Sequence, residues 1–147
     1  MKISVQRKDF DLGMEMRRFS DPRIGAVASF VGLVREVAMS LEHYPGMTEN
    51  SIRKIVEEAQ SRWQVMDCTV IHRVGELRPN DQIVLVAVAS AHRGDAFAAC
   101  EFVMDYLKTR APFWKKEQTA QGGRWVEARA SDDDAAGRWE DPARKTS

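Results

Sequence analysis

The sequence predicts one α+β domain, and three observations carry that prediction. Short runs of Val, Ile and Ala alternate with two stretches of helical period. Gly, Pro and Asn punctuate the joins, and neither repeats nor an internal linker divides the chain. The length of 147 residues fits one globular unit, enough to bury roughly two-thirds of its unfolded surface.

Residues 2–6 open the chain as a short strand. Residues 11–19 form a brief helix, stopped by the turn Ser20-Asp21-Pro22. Residues 24–34, rich in Val, Ala and Phe, read as a buried strand, and residues 41–44 as another, closed by Pro45-Gly46. The clearest helix follows. Thr48 is a good N-cap residue, and Ile52, Ile55, Val56, Ala59 and Trp63 recur at helical spacing. Residues 68–74 are a strand, residues 75–81 a turn with Pro79 and Asn80, and residues 82–89 a strand that pairs back as a hairpin. A second long helix lies within residues 91–110, and Pro112 prevents its smooth continuation. Gly122-Gly123 turns the chain into a last strand, residues 124–129. The domain is expected over residues 1–130. A polar, mobile tail follows over 131–147, with Trp139 its one large apolar residue.

Composition excludes several function classes. Lys plus Arg (22) balance Asp plus Glu (22), so neither nucleic acid nor a membrane surface is an expected partner. The longest strongly apolar run, residues 83–89, is far short of the roughly 20 residues a spanning helix needs. The first eight residues lack the apolar core of a secretory signal, and a reduced, cytoplasmic setting is expected. Cys68 and Cys100 are isolated, without a CxxC or a His at ligand spacing, so no metal, cofactor or disulfide framework is expected. Cys100 shares an apolar helix face with Ala96, Val103 and Leu107, and both cysteines read as core residues. Any sulfur this protein handles arrives on something else.

Three basic groups are candidates for chemistry. The first is Ala91-His92-Arg93-Gly94-Asp95, where an apolar strand hands over to a helix. Free N–H groups at a helix start favour an anion, although spacing alone favours a plain turn with two solvated side chains. The second is Lys108-Thr109-Arg110-Ala111-Pro112-Phe113-Trp114-Lys115-Lys116. A lysine near a helix C-terminus commonly just complements the helix dipole, which accounts for Lys108 alone. It accounts less well for two large aromatics set between cations after a proline. Packing there would hold Lys115 half-buried beside Lys108, and neighbouring cations with partial desolvation lower a lysine pKa. The third group is Arg35 and Arg129, each more often a surface arginine than a ligand. His92 precedes Lys108 by 16 residues, roughly 20 Å or more along a helix. If both serve one site, His92 and Arg93 come from a second copy of the chain.

The string Met104-Asp105-Tyr106-Leu107-Lys108-Thr109-Arg110-Ala111-Pro112-Phe113-Trp114-Lys115 resembles the signature of the molybdopterin synthase large-subunit family, MoaE. So do Leu41-Glu42-His43-Tyr44-Pro45-Gly46-Met47, Val70-Ile71-His72-Arg73-Val74-Gly75, Ser90-Ala91-His92-Arg93 and Arg124-Trp125-Val126-Glu127-Ala128, in the family's order. The resemblance implies an α/β hammerhead-type fold with an antiparallel sheet and two main helices. It implies a homodimer within a heterotetramer, each large subunit binding a small ubiquitin-like sulfur-carrier subunit of the MoaD type. The carrier's C-terminal thiocarboxylate would enter a pocket and give sulfur to cyclic pyranopterin monophosphate (precursor Z), forming the dithiolene of molybdopterin. On matching positions, Lys108 and Lys115 are the implied catalytic residues. Phe30, Arg35 and Met104 would line the pocket; His92, Arg93 and Arg129 would hold phosphate or pterin, the His-Arg pair coming from the other protomer. One departure stands out: only Glu36-Val37-Ala38-Met39-Ser40 separate Arg35 from Leu41, where the family has a longer loop. That shortening is the support for an alternative reading, a non-catalytic dimeric carrier-binding or scaffold homologue.

Overall fold

The computed structural model describes residues 1–119, 122–126 and 139, with 115–119 and 122–126 described for their backbone only. Its elements run β1 (Lys2–Gln6), α1 (Leu12–Met16), β2 (Ala26–Leu33), β3 (Met39–His43), α2 (Met47–Arg62), β4 (Asp67–Arg73), β5 (Gly75–Leu77), β6 (Gln82–Ser90), α3 (Arg93–Arg110), β7 (Phe113–Thr119) and β8 (Gly122–Val126). They form the expected α+β architecture, but the strands divide into two four-stranded sheets. One has the order β1-β4-β6-β2 and the other β5-β3-β7-β8. Most pairs are antiparallel, while β1 lies parallel to β4.

Side-chain alternation along the central strands explains the layers. Cys68 and Val70 of β4 and Val84, Val86 and Val88 of β6 face the core shared with α2 and α3. Ile71, Leu85 and Ala87 point the other way, onto Phe10 and the partly buried Leu12, Met16 and Phe19. Both faces of β6 are therefore covered, which is why it reads as a continuous apolar run rather than an alternating one. Asp11 caps α1 by accepting the Met14 N–H at 3.1 Å. The buried Glu15 of that helix is neutralised by Lys2 and, more loosely, Arg18.

Gly75 redirects the chain from the first sheet to the second. Its φ of 88° lies in the left-handed region, and a Cβ there would stand 2.6 Å from the Arg7 guanidinium. A glycine meets both constraints at no steric cost. Gly75 and the two residues that follow form β5 against β3, where the sequence predicts only a turn. A strand this short carries too few residues to show a period of two.

Three other expectations change. Strand β2 is an edge strand rather than a buried one: Val27, Phe30 and Leu33 are 41%, 45% and 50% exposed. Apolar composition cannot distinguish a strand buried in its own domain from one that offers a surface. Helix α2 begins at Met47 with Gly46 at the N-cap, and Thr48 lies inside the first turn. Its buried hydroxyl accepts the Tyr44 N–H and donates to the Pro112 carbonyl, both at 3.1 Å, a tertiary contact that replaces the local capping bond. Finally, the chain resumes as β7 directly after Pro112, pairing with β3 from His43↔Phe113 to Met39↔Glu117.

Of the tail expected to be mobile, Trp139 is the one described residue, and it is buried. Its indole packs edge-on against Trp63 and Phe102, its N–H donates to Asp105, and its carbonyl accepts from Arg62 at 2.6 Å. The ring thus closes the groove between α2 and α3. Trp139→Ala is expected to destabilise the fold by about 3 kcal/mol, the order found for emptying a large aromatic site. Urea unfolding checks this, and an unchanged midpoint would show that the ring adds nothing to the core.

Candidate active site

Helix α3 carries four of the candidates, His92 at its N-cap and Arg93, Met104 and Lys108 along it. Half of its 18 residues are buried, because it is covered by the first sheet on one side and by α2 on another. Arg110 ties its last turn down, bonding Glu58 of α2 at 3.0 Å and stacking over the Tyr106 ring at 3.7 Å. Arg110 is thereby assigned to helix packing, although it is exposed, as is Lys108 in the same turn.

Strand register shows which candidates gather at one end. Strand β2 runs from Ala26, opposite Ser90, to Leu33, opposite Gln82. Arg35 follows β2 and is exposed at the Gln82 end of the sheet. His72 is paired with Val84 at this same end. Phe30 lies midway, opposite Val86, on the face that carries Ala28. Met104 belongs to α3 and is buried in the core that α2 and α3 share with the first sheet. His92 and Arg93 are exposed at the start of α3, beyond the Ser90 end. Sixteen positions apart in sequence, His92 and Lys108 are separated by about 24 Å at 1.5 Å per residue. One chain therefore does not bring His92 and Arg93 to Lys108. Arg129 lies outside the described residues.

The end of α3 meets the second sheet through one tight turn. Ala111 and Pro112 separate the helix from β7, and Pro112 is held by Thr48. Lys115 is the third residue of β7, its backbone paired with Leu41 on one side and Val126 on the other. The two lysines thus flank a fixed turn, seven residues apart. Trp114, between them, meets Tyr44 with ring centroids 4.6 Å apart.

Sequence reasoning assigned no role to the histidine at the centre of this junction. His72 follows Cys68 and Val70 on the core-facing side of β4, where an apolar residue is the expected occupant. It is buried and stacks on Phe113, the first residue of β7, with centroids 3.9 Å apart and planes 20° apart. Its Nδ1 is 2.9 Å from the Arg73 carbonyl. A carbonyl only accepts, so Nδ1 carries the proton and the neutral ring presents Nε2 as an acceptor. Burial pushes the His72 pKa down to about 4; the Arg73 hydrogen bond opposes this, and positive charge at Lys108 and His43 lowers it further. The available signal was a histidine occupying a core-facing position in an alternating strand.

Both cysteines are buried, with thiols pushed up by burial to about 12 at Cys68 and about 11 at Cys100. Neither is poised as a nucleophile. Among the described residues, no group of three or more His, Cys, Asp or Glu is arranged to hold a metal. No described helix is long and apolar enough to cross a membrane.

Comparison with known proteins places this geometry among relatives. The family model described as MoaE protein matches residues 5–110, a span that includes Lys108 and His72 and ends before Lys115. A protein of Ralstonia nicotianae, named molybdopterin synthase catalytic subunit, is 63% identical over 93% of this chain and 83% of its own length. A protein of the same name from Vibrio cholerae is 53% identical over 95% of this chain and 98% of its own. The solved structure of the molybdopterin biosynthesis MoaE protein from Burkholderia ambifaria superposes with a TM-score of 0.84. It is 59% identical and covers 95% of this chain and 98% of that one.

The depressed His72 pKa has a consequence for stability. Its folded value lies below the ordinary 6.5, so between pH 6.5 and about 4 the unfolded chain binds the proton more readily. The contribution of neutral His72 is full above that window and lost as pH falls through it, amounting to about 3 kcal/mol. Urea midpoints measured from pH 7 down to 4 are expected to fall accordingly. His72→Phe should flatten that part of the curve.

Proposed function

We propose, on the premise that the chain belongs to the MoaE family, that it works as the catalytic subunit of a molybdopterin synthase. It is a sulfurtransferase of molybdenum cofactor biosynthesis. Its sulfur donor is the C-terminal thiocarboxylate of a small ubiquitin-like carrier subunit of the MoaD type, and its acceptor is cyclic pyranopterin monophosphate. The observation that carries the reading is the placement of exposed Lys108 in the last turn of α3, one tight turn before the strand bearing Lys115. That arrangement offers cationic groups to a peptide carbonyl and a developing anion, without requiring a thiol of the chain itself.

Lys108 lies beside the carrier's terminal carbonyl and stabilises charge on its oxygen as the acyl–sulfur bond breaks. Lys115 assists by proton transfer or anion stabilisation. In each transfer a C–S bond forms on the pterin side chain as a C–O bond there breaks, its oxygen leaving as water or with the phosphate. Water hydrolyses the acyl–sulfur bond, and the carrier leaves as a carboxylate. Two such transfers complete the dithiolene. Phe30, Arg35 and Met104 line the pterin pocket. His92, Arg93 and Arg129 bind its phosphate or ring, and the His-Arg pair is supplied by a second copy. The exposed apolar side chains of edge strand β2, together with Phe97 of α3 at 64% exposure, support that second copy as a covering surface. The working unit is thus a homodimer carrying two small subunits, acting in the cytoplasm.

A reconstituted assay tests the reading, combining the chain, thiocarboxylated carrier and cyclic pyranopterin monophosphate. Wild type is expected to form the dithiolene product. Lys108→Ala is expected to lose about a hundredfold or more in rate, on the scale of removing one preorganised charge-stabilising group, with the folded state retained. Lys115→Ala should also slow turnover. Normal turnover by Lys108→Ala would contradict the assigned role, and carrier binding without any product would favour a scaffold.

A further inference from the structure

Burying a histidine is costly unless its polar atoms are satisfied, and a leucine would fill the His72 position at lower cost. Within the fold, the position joins the two halves of the site. His72 belongs to β4 of the first sheet, paired with Val5 on one side and Val84 on the other. Its ring, however, stacks on Phe113 of the second sheet. The strand beginning at Phe113 carries Lys115 two residues later, and the charge of Lys108 at the end of α3 is felt at the His72 ring. Phe113 itself packs against both the core under α3 and the small core of Val34, Leu41, Val74 and Leu77 that joins the sheets. The imidazole is fixed in plane by its Nδ1–H bond to the Arg73 carbonyl, at 2.9 Å.

From this arrangement we infer that His72 is a positioning residue for the sulfur-transfer reaction: by stacking on Phe113 it fixes where the start of β7, and with it Lys115, stands relative to Lys108. The inference rests on the functional reading above and adds a residue to it. A neutral ring suits this task, because a charged one would repel Lys108. Burial keeps the ring neutral at working pH.

The test uses His72→Leu and His72→Phe in the full chain with its carrier. Leu fills the volume but offers no ring to stack, whereas Phe restores an aromatic plane. His72→Leu is expected to lower kcat about tenfold or more, as small misplacements of catalytic groups do, with KM for the carrier within about twofold. His72→Phe is expected to recover most of the rate. In parallel, amide hydrogen exchange over residues 113–116 should rise in His72→Leu and return to wild-type values in His72→Phe, while β4 and β6 stay protected. Wild-type kcat in His72→Leu overturns the inference. So do equal losses in both variants that follow their melting temperatures, since that pattern marks a merely structural histidine. Failure of the wild-type chain to convert the pterin overturns the functional reading instead. The exchange data still report in that case, and unchanged exchange at 113–116 would overturn the contact as well.

Discussion

The rest of the molecule depends on the packing of α3. Eighteen residues in one helix, half of them buried between the first sheet and α2, fix the distance between its two ends. At its start stand His92 and Arg93, and at its end Lys108. A flexible linker between these groups would let one chain assemble them. A packed helix does not, so under the proposed reading a site that uses both groups takes them from two chains. The exposed apolar side chains of edge strand β2 are consistent with that demand, since an isolated copy leaves them in water.

The far end of α3 is where the two sheets are joined. Thr48 holds the Pro112 carbonyl, Phe113 begins β7, and His72 lies against it from the first sheet. These contacts belong to different elements and converge on a turn of two residues. Their combined effect is to make the separation of Lys108 from the β7 backbone a property of the fold rather than of a loop. Preorganisation of this kind is what electrostatic catalysis needs, because groups already in place do not reorganise as charge develops. The buried cysteines agree with the proposed reading, since burial keeps both thiols protonated and leaves the sulfur to be brought by a carrier.

Much of this was legible in the sequence, for identifiable reasons. Helices α2 and α3 and strands β4 and β6 have long apolar patterns, and each lies within a few residues of its expected limits. The motif singles out Lys108 and Lys115 as the proposed catalytic pair, and helix geometry alone gives the separation of His92 from Lys108. What escaped was set by tertiary contact. Thr48 has the residue type of a cap, yet its hydroxyl serves Pro112, 64 positions away in sequence. Strand β7 follows a proline and contains charged residues, so no alternation marks it; it is a strand because β3 pairs with it. His72 sat inside a recognised motif without a role, because only the second sheet shows what its ring touches. Trp139 read as part of a polar tail, and its burial depends on a groove that exists only once α2 and α3 pack.

The claim that α3 forces a two-chain site is tested most directly by complementation. Two inactive chains are mixed under conditions that exchange subunits, one carrying Lys108→Ala and the other His92→Ala with Arg93→Ala. A site built from Lys108 of one copy and the His-Arg pair of the other regains one intact site in each mixed dimer. Sulfur transfer should then recover to roughly a quarter of the wild-type rate per chain, as random pairing of two subunits requires. Mixed dimers that form and remain inactive would contradict the account, because they would place all three residues in a single chain's site.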